Sequence, residues 1–391
     1  MRSDPVIPYG RQDISEEDID AVAAVLRSDF ITQGPAVERF ERAVANYCGV
    51  PHAVAVNSAT SALHVACMAL GLGPGDRLWT VPNTFLASAN AGVYCGAIVD
   101  FVDIDPRTYN MSVTALADKL DAAARTGTLP KVLMPVHFAG QSCEMAPLGE
   151  LARRFGVRVI EDASHAIGGH YRGAPVGRNP HSDITVFSFH PVKIVTSGEG
   201  GMAVTRDAEL AERMRQGRSH GMTRDPARMT HVPDGPWDYE QITLGYNYRI
   251  TDIQAALGAN QMTRIDAFVA RRTQLAAAYD RALADLPLTR PWQHPDSASA
   301  WHLYVVQVDA ARRRDIFGAL RAAGIWVNVH YIPVHTQPYY RERFGFKHGD
   351  FPHAEAYYAG AISLPMYAAL TDAQQQRVVD AVRAALLTPA R

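Results

Sequence analysis

The chain has 391 residues, 47% of them apolar and 20% charged, with 38 basic against 40 acidic side chains. That length is above the size at which one hydrophobic core usually stops growing, so two domains are expected. The formal charge of -2 provides no field for a polyanion, which argues against nucleic acid or an anionic membrane as partner.

Ser15, followed by carboxylates at Glu16, Glu17 and Asp18 and by the apolar stripe Ile19, Val22, Val25 and Leu26, predicts a capped helix ending near Ser28. Phe30 to Pro35 reads as a loop, and Ala36 to Cys48 as a second amphipathic helix. From there the pattern alternates. Strands are expected at Ala53–Val56, Leu78–Val81, Ala97–Asp103, Lys131–His137, Val157–Ile160, Ile184–Phe189 and Met202–Thr205. Helices are expected at Ser58–Leu70, Phe85–Cys95, Met145–Phe155 and Asp207–Met222. Alternation of this kind predicts an α/β fold with a largely parallel sheet between helices. His231–Glu240 reads as a long loop. One long helix, Asp252–Leu283, is expected to bridge to a smaller C-terminal part. That part carries strands at His302–Val308 and Ile325–Tyr331 and helices at Asp315–Ala323 and Asp372–Leu387. The division is a large domain over 1–255 and a bridging helix with a small domain over 256–391.

No apolar run approaches the roughly 20 residues of a membrane helix, and Met1-Arg-Ser-Asp-Pro5 lacks a signal-peptide core. Cys48, Cys67, Cys95 and Cys143 show neither metal-ligand nor redox spacing. A reduced, cytoplasmic compartment and no metal are therefore expected.

Ligands of parallel sheets sit beyond the carboxyl ends of the strands. The polar residues expected there are Asn57 to Ser61, Asn83-Thr84, Asp162 to His165 and Ser188 to Lys193. Lys193 stands between the apolar run Ile184–Phe189 and the turn Gly198-Glu-Gly-Gly201. A lysine forming a Schiff base with pyridoxal phosphate needs an anchor for the phosphate, a carboxylate at the ring nitrogen and a flat surface against the ring. The helix start at Ser58-Ala59-Thr60-Ser61 offers backbone N–H groups and hydroxyls to an anion. Ser188 offers another hydroxyl. Asp162, after an apolar strand, suits the ring nitrogen, and Phe85 could stack on the ring. His165 could bond the cofactor's phenolic oxygen or pack below the ring. Taken singly, these residues also read as a helix cap, a loop acid, a core aromatic and a surface lysine. Their joint occurrence carries the argument.

Ser-Phe-His-Pro-Val-Lys193 with Gly-Glu-Gly-Gly201, Glu161-Asp162-Ala-Ser-His165, Asn57-Ser-Ala-Thr-Ser-Ala62 and Gly245-Tyr-Asn-Tyr-Arg249 resemble the DegT/StrS family of nucleotide-sugar aminotransferases. The resemblance spans nearly the whole chain. It implies the fold type I architecture, with a mainly parallel central sheet between helices and a smaller C-terminal α+β domain. It also implies a homodimer with active sites at the subunit interface. Lys193 would be the Schiff-base lysine and Asp162 the partner of the pyridinium nitrogen. Ala59, Thr60, Ser61 and Ser188 would bind phosphate, Phe85 would stack on the ring, and His165 would contact the cofactor. Asn247 would reach the phosphate in the neighbouring subunit.

Within the family, His190-Pro-Val-Lys193, Ala139-Gly-Gln-Ser-Cys143, Arg218-Ser-His-Gly-Met222, Tyr248-Arg-Ile-Thr-Asp-Ile-Gln254 and Ile362-Ser-Leu-Pro365 resemble the branch acting in pseudaminic acid biosynthesis. By that resemblance Tyr9, Asp29, Phe30, Ile31, Thr32, Ser58, Asn328, Val329, His330 and Tyr331 would contact the nucleotide sugar. Glutamate would donate the amino group, and a UDP-4-keto-6-deoxy-N-acetylhexosamine would accept it at C4. Aminotransferases of the perosamine, viosamine or 4-amino-arabinose type are the nearest alternative. A sugar dehydratase of the same fold would carry histidine at the position of Lys193. A non-catalytic regulator would not need lysine, aspartate and cradle together.

Overall fold

A computed structural model describes residues 5–178 and 180–388. At its centre lies a seven-stranded sheet. Its spatial order is His52–Val56, Gly201–Thr205, Ile184–Ser188, Arg158–Asp162, Val132–Leu133, Arg77–Thr80 and Ile98–Phe101. The expected parallel pairing holds for the last five strands. Gly201–Thr205 runs antiparallel to both of its neighbours. A parallel return needs a crossover, usually through a helix. Here residues 189–200 close on themselves instead, with Phe189 N–H donating to the Gly200 carbonyl at 2.9 Å.

Helices α1 (Glu16–Leu26) and α2 (Pro35–Cys48) precede the sheet, α3 (Ala59–Ala69), α4 (Leu86–Tyr94), α5 (Val113–Thr126) and α6 (Met145–Arg154) are interleaved with it, and α7 (Ala208–Arg218) follows its last strand. The strands alternate faces. In the first strand Val54 and Val56 join the core under α3 and α7, while Ala53 and Ala55 join the core under α2 and α8 (Asp252–Met262). Ser15 caps α1 in a full capping box, as its sequence predicts. On α2, Pro35 occupies the first turn and Gly49, with φ 67°, ends the helix in the left-handed conformation.

The helix expected over Asp252–Leu283 is two helices, α8 and α9 (Ile265–Ala282). Thr263 and Arg264 turn back on the carbonyls of Asn260 and Gln261. The Arg264 guanidinium is drawn to Asp18 at 2.6 Å, which holds the break against α1. Residue 255, where the sequence reading divides the domains, lies inside α8, and α8 packs on α1 and α2. The strand expected over Lys131–His137 is reduced to Val132–Leu133 with one further bridge from Val136 to Asp162. Pro135 has no N–H to continue the ladder.

The C-terminal part holds α10 (Arg313–Ala322), α11 (Pro338–Phe344), α12 (Pro352–Gly360), α13 (Asp372–Leu387) and the antiparallel pair Tyr304–Gln307 and Ala361–Leu364. The strand expected over Ile325–Tyr331 covers only Ile325–Trp326. Those two residues pair in parallel with Ile7–Pro8, and Ile7 packs into the C-terminal core. Among the described residues no helix is long and apolar enough to cross a membrane.

α8 can approach α2 because Gly258 lacks a side chain, since a Cβ there would lie 2.6 Å from the Phe40 ring. Phe40 is fully buried, its ring edge-on to Phe189 at 4.9 Å. Phe40→Ala is expected to lower unfolding free energy by about 3–5 kcal/mol. Denaturant titration measures this, and a loss below about 1 kcal/mol would contradict the central placement of Phe40 in this core.

Candidate active site

The strand ends Asp162 and Ser188 open on one cleft of about 540 Å³ at the carboxyl edge of the parallel strands. Lys193, Asp162, Ala59, Thr60, Phe85, His165 and Ser188 all line it, together with Tyr9, Ser58, Asn328, Val329, His330 and Tyr331. Residues distant in sequence are thereby gathered from the sheet, from the starts of α3 and α4, and from the C-terminal part.

Asp162 is 4% exposed. Its Oδ2 accepts from Ser88 Oγ at 2.6 Å, and its Oδ1 accepts from Ser164 Oγ at 2.6 Å and Ser164 N–H at 3.1 Å. Three donors hold this buried carboxylate in place, which is the condition for keeping a charge out of water. The sequence reading missed both serines. Ser164 was detectable, because an aspartate commonly bonds the backbone two residues on. Ser88 was not, since it reaches Asp162 only through the packing of α4.

The anion cradle is the start of α3. Ser58 caps it, and Ser61 N–H donates to Ser58 Oγ at 3.1 Å. The Ser61 hydroxyl donates to Asn57 Oδ1 at 2.6 Å and does not line the cleft, whereas Ala59 and Thr60 do. Gly201 lets the neighbouring strand run directly beneath this helix start, because a Cβ there would lie 2.3 Å from the Ser58 carbonyl oxygen. Phe85 precedes α4 and is 57% exposed, which leaves its ring free to cover a flat ligand.

His165 has no nitrogen to spare. Ala139 N–H donates to Nδ1 at 3.3 Å, which leaves the proton on Nε2, directed at the Tyr331 hydroxyl 3.0 Å away. Of the two roles open to His165 in the sequence reading, this bonding favours packing through the ring. Burial, with Lys193 and His330 nearby, holds the imidazole well below its usual range and therefore neutral. His302 also lines the cleft, with its ring 4.3 Å from that of His165. It went unnoticed because a histidine at the start of an apolar strand gives no local signal.

Asp29, Phe30, Ile31 and Thr32 do not line this cleft; Phe30 lines a separate groove between α1, α2 and α8. Asn247 is exposed and lies outside it as well. Ser219 and Asn247 form a β-bridge, and Tyr246 and Tyr248 stack at 4.9 Å on the side of His64. Alternation along an extended segment turns Asn247 away from them. Among the described residues no group of His, Cys, Asp or Glu could hold a metal ion.

The cleft fits pyridoxal phosphate. It offers an amine, a bonded carboxylate, a helix start crossed by a side-chain-free glycine, and an exposed aromatic ring. Burial lowers the Lys193 amine to about 8, and the opposing pull of Asp162 is too weak to restore it. Below that pH the amine is protonated, and above it the amine is a nucleophile. Acylation of Lys193 in the cofactor-free protein, followed by mass spectrometry, is expected to rise with a midpoint near pH 8. A midpoint at the ordinary lysine value of about 10.4 would contradict this.

Residues 12–383 match the DegT/DnrJ/EryC1/StrS aminotransferase family. The spore coat polysaccharide biosynthesis protein SpsC of Bacillus subtilis (strain 168) is 41% identical over 383 residues, covering 96% of each chain. Helicobacter pylori PseC, an aminotransferase involved in the biosynthesis of pseudoaminic acid, superposes with a TM-score of 0.89 at 30% identity, over 97% of this chain and 99% of its own. S. venezuelae DesV superposes with a TM-score of 0.88 at 34% identity, over 99% and 100% of the two chains. With a family match over nearly its whole length and a lysine–aspartate cleft suited to pyridoxal phosphate, the chain belongs to the DegT/DnrJ/EryC1/StrS family of pyridoxal-phosphate-dependent sugar aminotransferases.

Proposed function

We propose that the protein transfers an amino group from glutamate to C4 of a UDP-4-keto-6-deoxy-N-acetylhexosamine, the step that leads to pseudaminic acid. The similarity to PseC along 97% of the chain carries this reading of the sugar. The 41% identity to SpsC favours a second reading, in which the acceptor is another keto sugar destined for a polysaccharide.

Pyridoxal phosphate supplies the electron sink. The chain supplies position and protons. Lys193 would hold the cofactor as its covalent tether, and its amine would serve as the base and acid for a proton at the substrate carbon. An amine whose proton affinity burial has lowered to about 8 can both take and give that proton near neutral pH. Asp162, bonded by Ser88 and Ser164, would hold a proton on the cofactor's ring nitrogen. Thr60 and the start of α3 would hold the phosphate, with Ser188 beside them. His330 is kept neutral by burial, at about 3, and both of its ring nitrogens are bonded, to Ser363 Oγ at 2.8 Å and to Asn328 Nδ2 at 3.4 Å, so it would meet a sugar through its uncharged ring. The working form is a homodimer in which Asn247 and Asp29–Thr32 of one copy complete the other copy's cleft. Their position outside their own cleft supports this arrangement.

Lys193→Ala is expected to abolish turnover while far-UV circular dichroism stays unchanged; turnover at the wild-type rate would refute its role. Purified protein, glutamate and a panel of 4-keto UDP-, GDP- and dTDP-sugars, analysed by mass spectrometry, identify the acceptor. Selective amination of the UDP-linked N-acetyl sugar is expected, and amination only of another sugar would favour the second reading. Shared sites have a separate signature. Lys193→Ala and Asn247→Ala chains, each impaired alone, should regain about a quarter of wild-type activity when unfolded and refolded together, because a mixed dimer then holds one intact site. No recovery would mean that each chain completes its own site.

A further inference from the structure

Glu161 and Asp162 are consecutive in one strand and therefore face opposite sides of the sheet. Asp162 lines the cleft, whereas Glu161 is fully buried behind it. Glu161 Oε1 accepts from the Ser182 hydroxyl and from Thr185 Oγ1 at 3.1 Å. Its Oε2 lies 2.6 Å from His137 Nε2. Cys143 N–H donates to His137 Nδ1 at 3.1 Å, which puts the imidazole proton on Nε2, directed at Glu161.

The segment held by His137 touches the catalytic side at several points. His137 N–H donates to the Asp162 carbonyl at 3.0 Å, and Asp162 N–H donates to the Pro135 carbonyl at 2.9 Å. Val136 lines the cleft, and Ala139 N–H fixes His165 Nδ1. One stretch, residues 135–139, thus sets the backbone of Asp162 and the orientation of the His165 ring. The Val132–Leu133 strand has already ended at this point, so little ladder remains to hold the stretch in register. A buried carboxylate–imidazole pair is a costly way to pin a loop unless its position matters.

We propose that Glu161 and His137 form a positioning pair that pins residues 135–139 from behind the sheet and thereby sets Asp162 and His165 against the cofactor ring. Neither residue touches the cleft; both act through the backbone. The inference rests on the reading that Asp162 faces the ring nitrogen.

The test uses the full-length chain, stripped of cofactor and titrated with pyridoxal phosphate. Glu161→Gln keeps the shape of the side chain but places an amide N–H₂ or an uncharged oxygen against His137. Cofactor affinity is expected to fall about tenfold or more, the scale on which metal sites respond to losing a partner behind a ligand. The pH midpoint of the visible absorbance of the bound cofactor should move in the same direction as in Asp162→Asn. Thr185→Val, which removes a single bond to Glu161, should give a smaller change of the same sign, and it serves as the readout if Glu161→Gln fails to fold. A purely structural role predicts a lower melting temperature with affinity within about twofold of wild type and an unmoved midpoint, and that result overturns the proposal. If Asp162→Asn itself leaves affinity and midpoint unchanged, the reading of Asp162 fails first and the positioning pair falls with it.

Discussion

The structure depends on holding one buried carboxylate, Asp162, at the end of a strand. An isolated charge there would be costly, and the fold meets the cost with donors from two elements, Ser88 of α4 and Ser164 of the following loop. That requirement explains why α4 must pack where it does and why the strand must end at the open edge of the sheet. The same low-dielectric surroundings favour the neutral amine of Lys193, because desolvation outweighs the attraction of the carboxylate. Burial is thus used twice, against a charge that is bonded and in favour of an amine that is not.

The other wall of the cleft comes from the C-terminal part, which is tied down by backbone carbonyls. The fully buried Arg272 guanidinium of α9 donates to the carbonyls of Trp301 and Met366 at 3.1 and 2.9 Å, and to that of His302 at 3.3 Å. With no carboxylate partner among the described residues, burial lowers its proton affinity to about 10, still high enough to stay charged. It therefore fixes the entry to the strand Tyr304–Gln307 and, with it, the ring of His302 beside His165. Tyr9 reaches the cleft by the same route. Ile7–Pro8 is a strand of the C-terminal core, and the Tyr9 carbonyl accepts from Met366 N–H at 2.9 Å. Residues 7–9 and the last third of the chain thus form one wall.

Most of the central fold was legible in local patterns. The strands around Asp162 and Lys193 are short apolar runs bounded by glycine and polar turns, and α1 announces itself through Ser15 and three carboxylates. The break between α8 and α9 was not legible. Its cause is the pull of Asp18 on Arg264, 246 residues away, and nothing in the helical periodicity marks it. The reversal of Gly201–Thr205 was only implicit, in a loop too short to hold a crossover helix.

The site divides along the same line. Asp162, Thr60 and Phe85 could be named from the sequence because each sits at a strand or helix end, where backbone chemistry restricts residue choice, and Lys193 because it lies in the turn between two apolar strands. Sequence could not say that Ser61 turns inward to Asn57, that both nitrogens of His165 are occupied, or that Ser88 and His302 belong to the site. Side-chain direction and long-range hydrogen bonding come from packing between elements far apart in the chain. A strand end restricts which residue is useful, but its partners are set only when the helices and the C-terminal wall close around it.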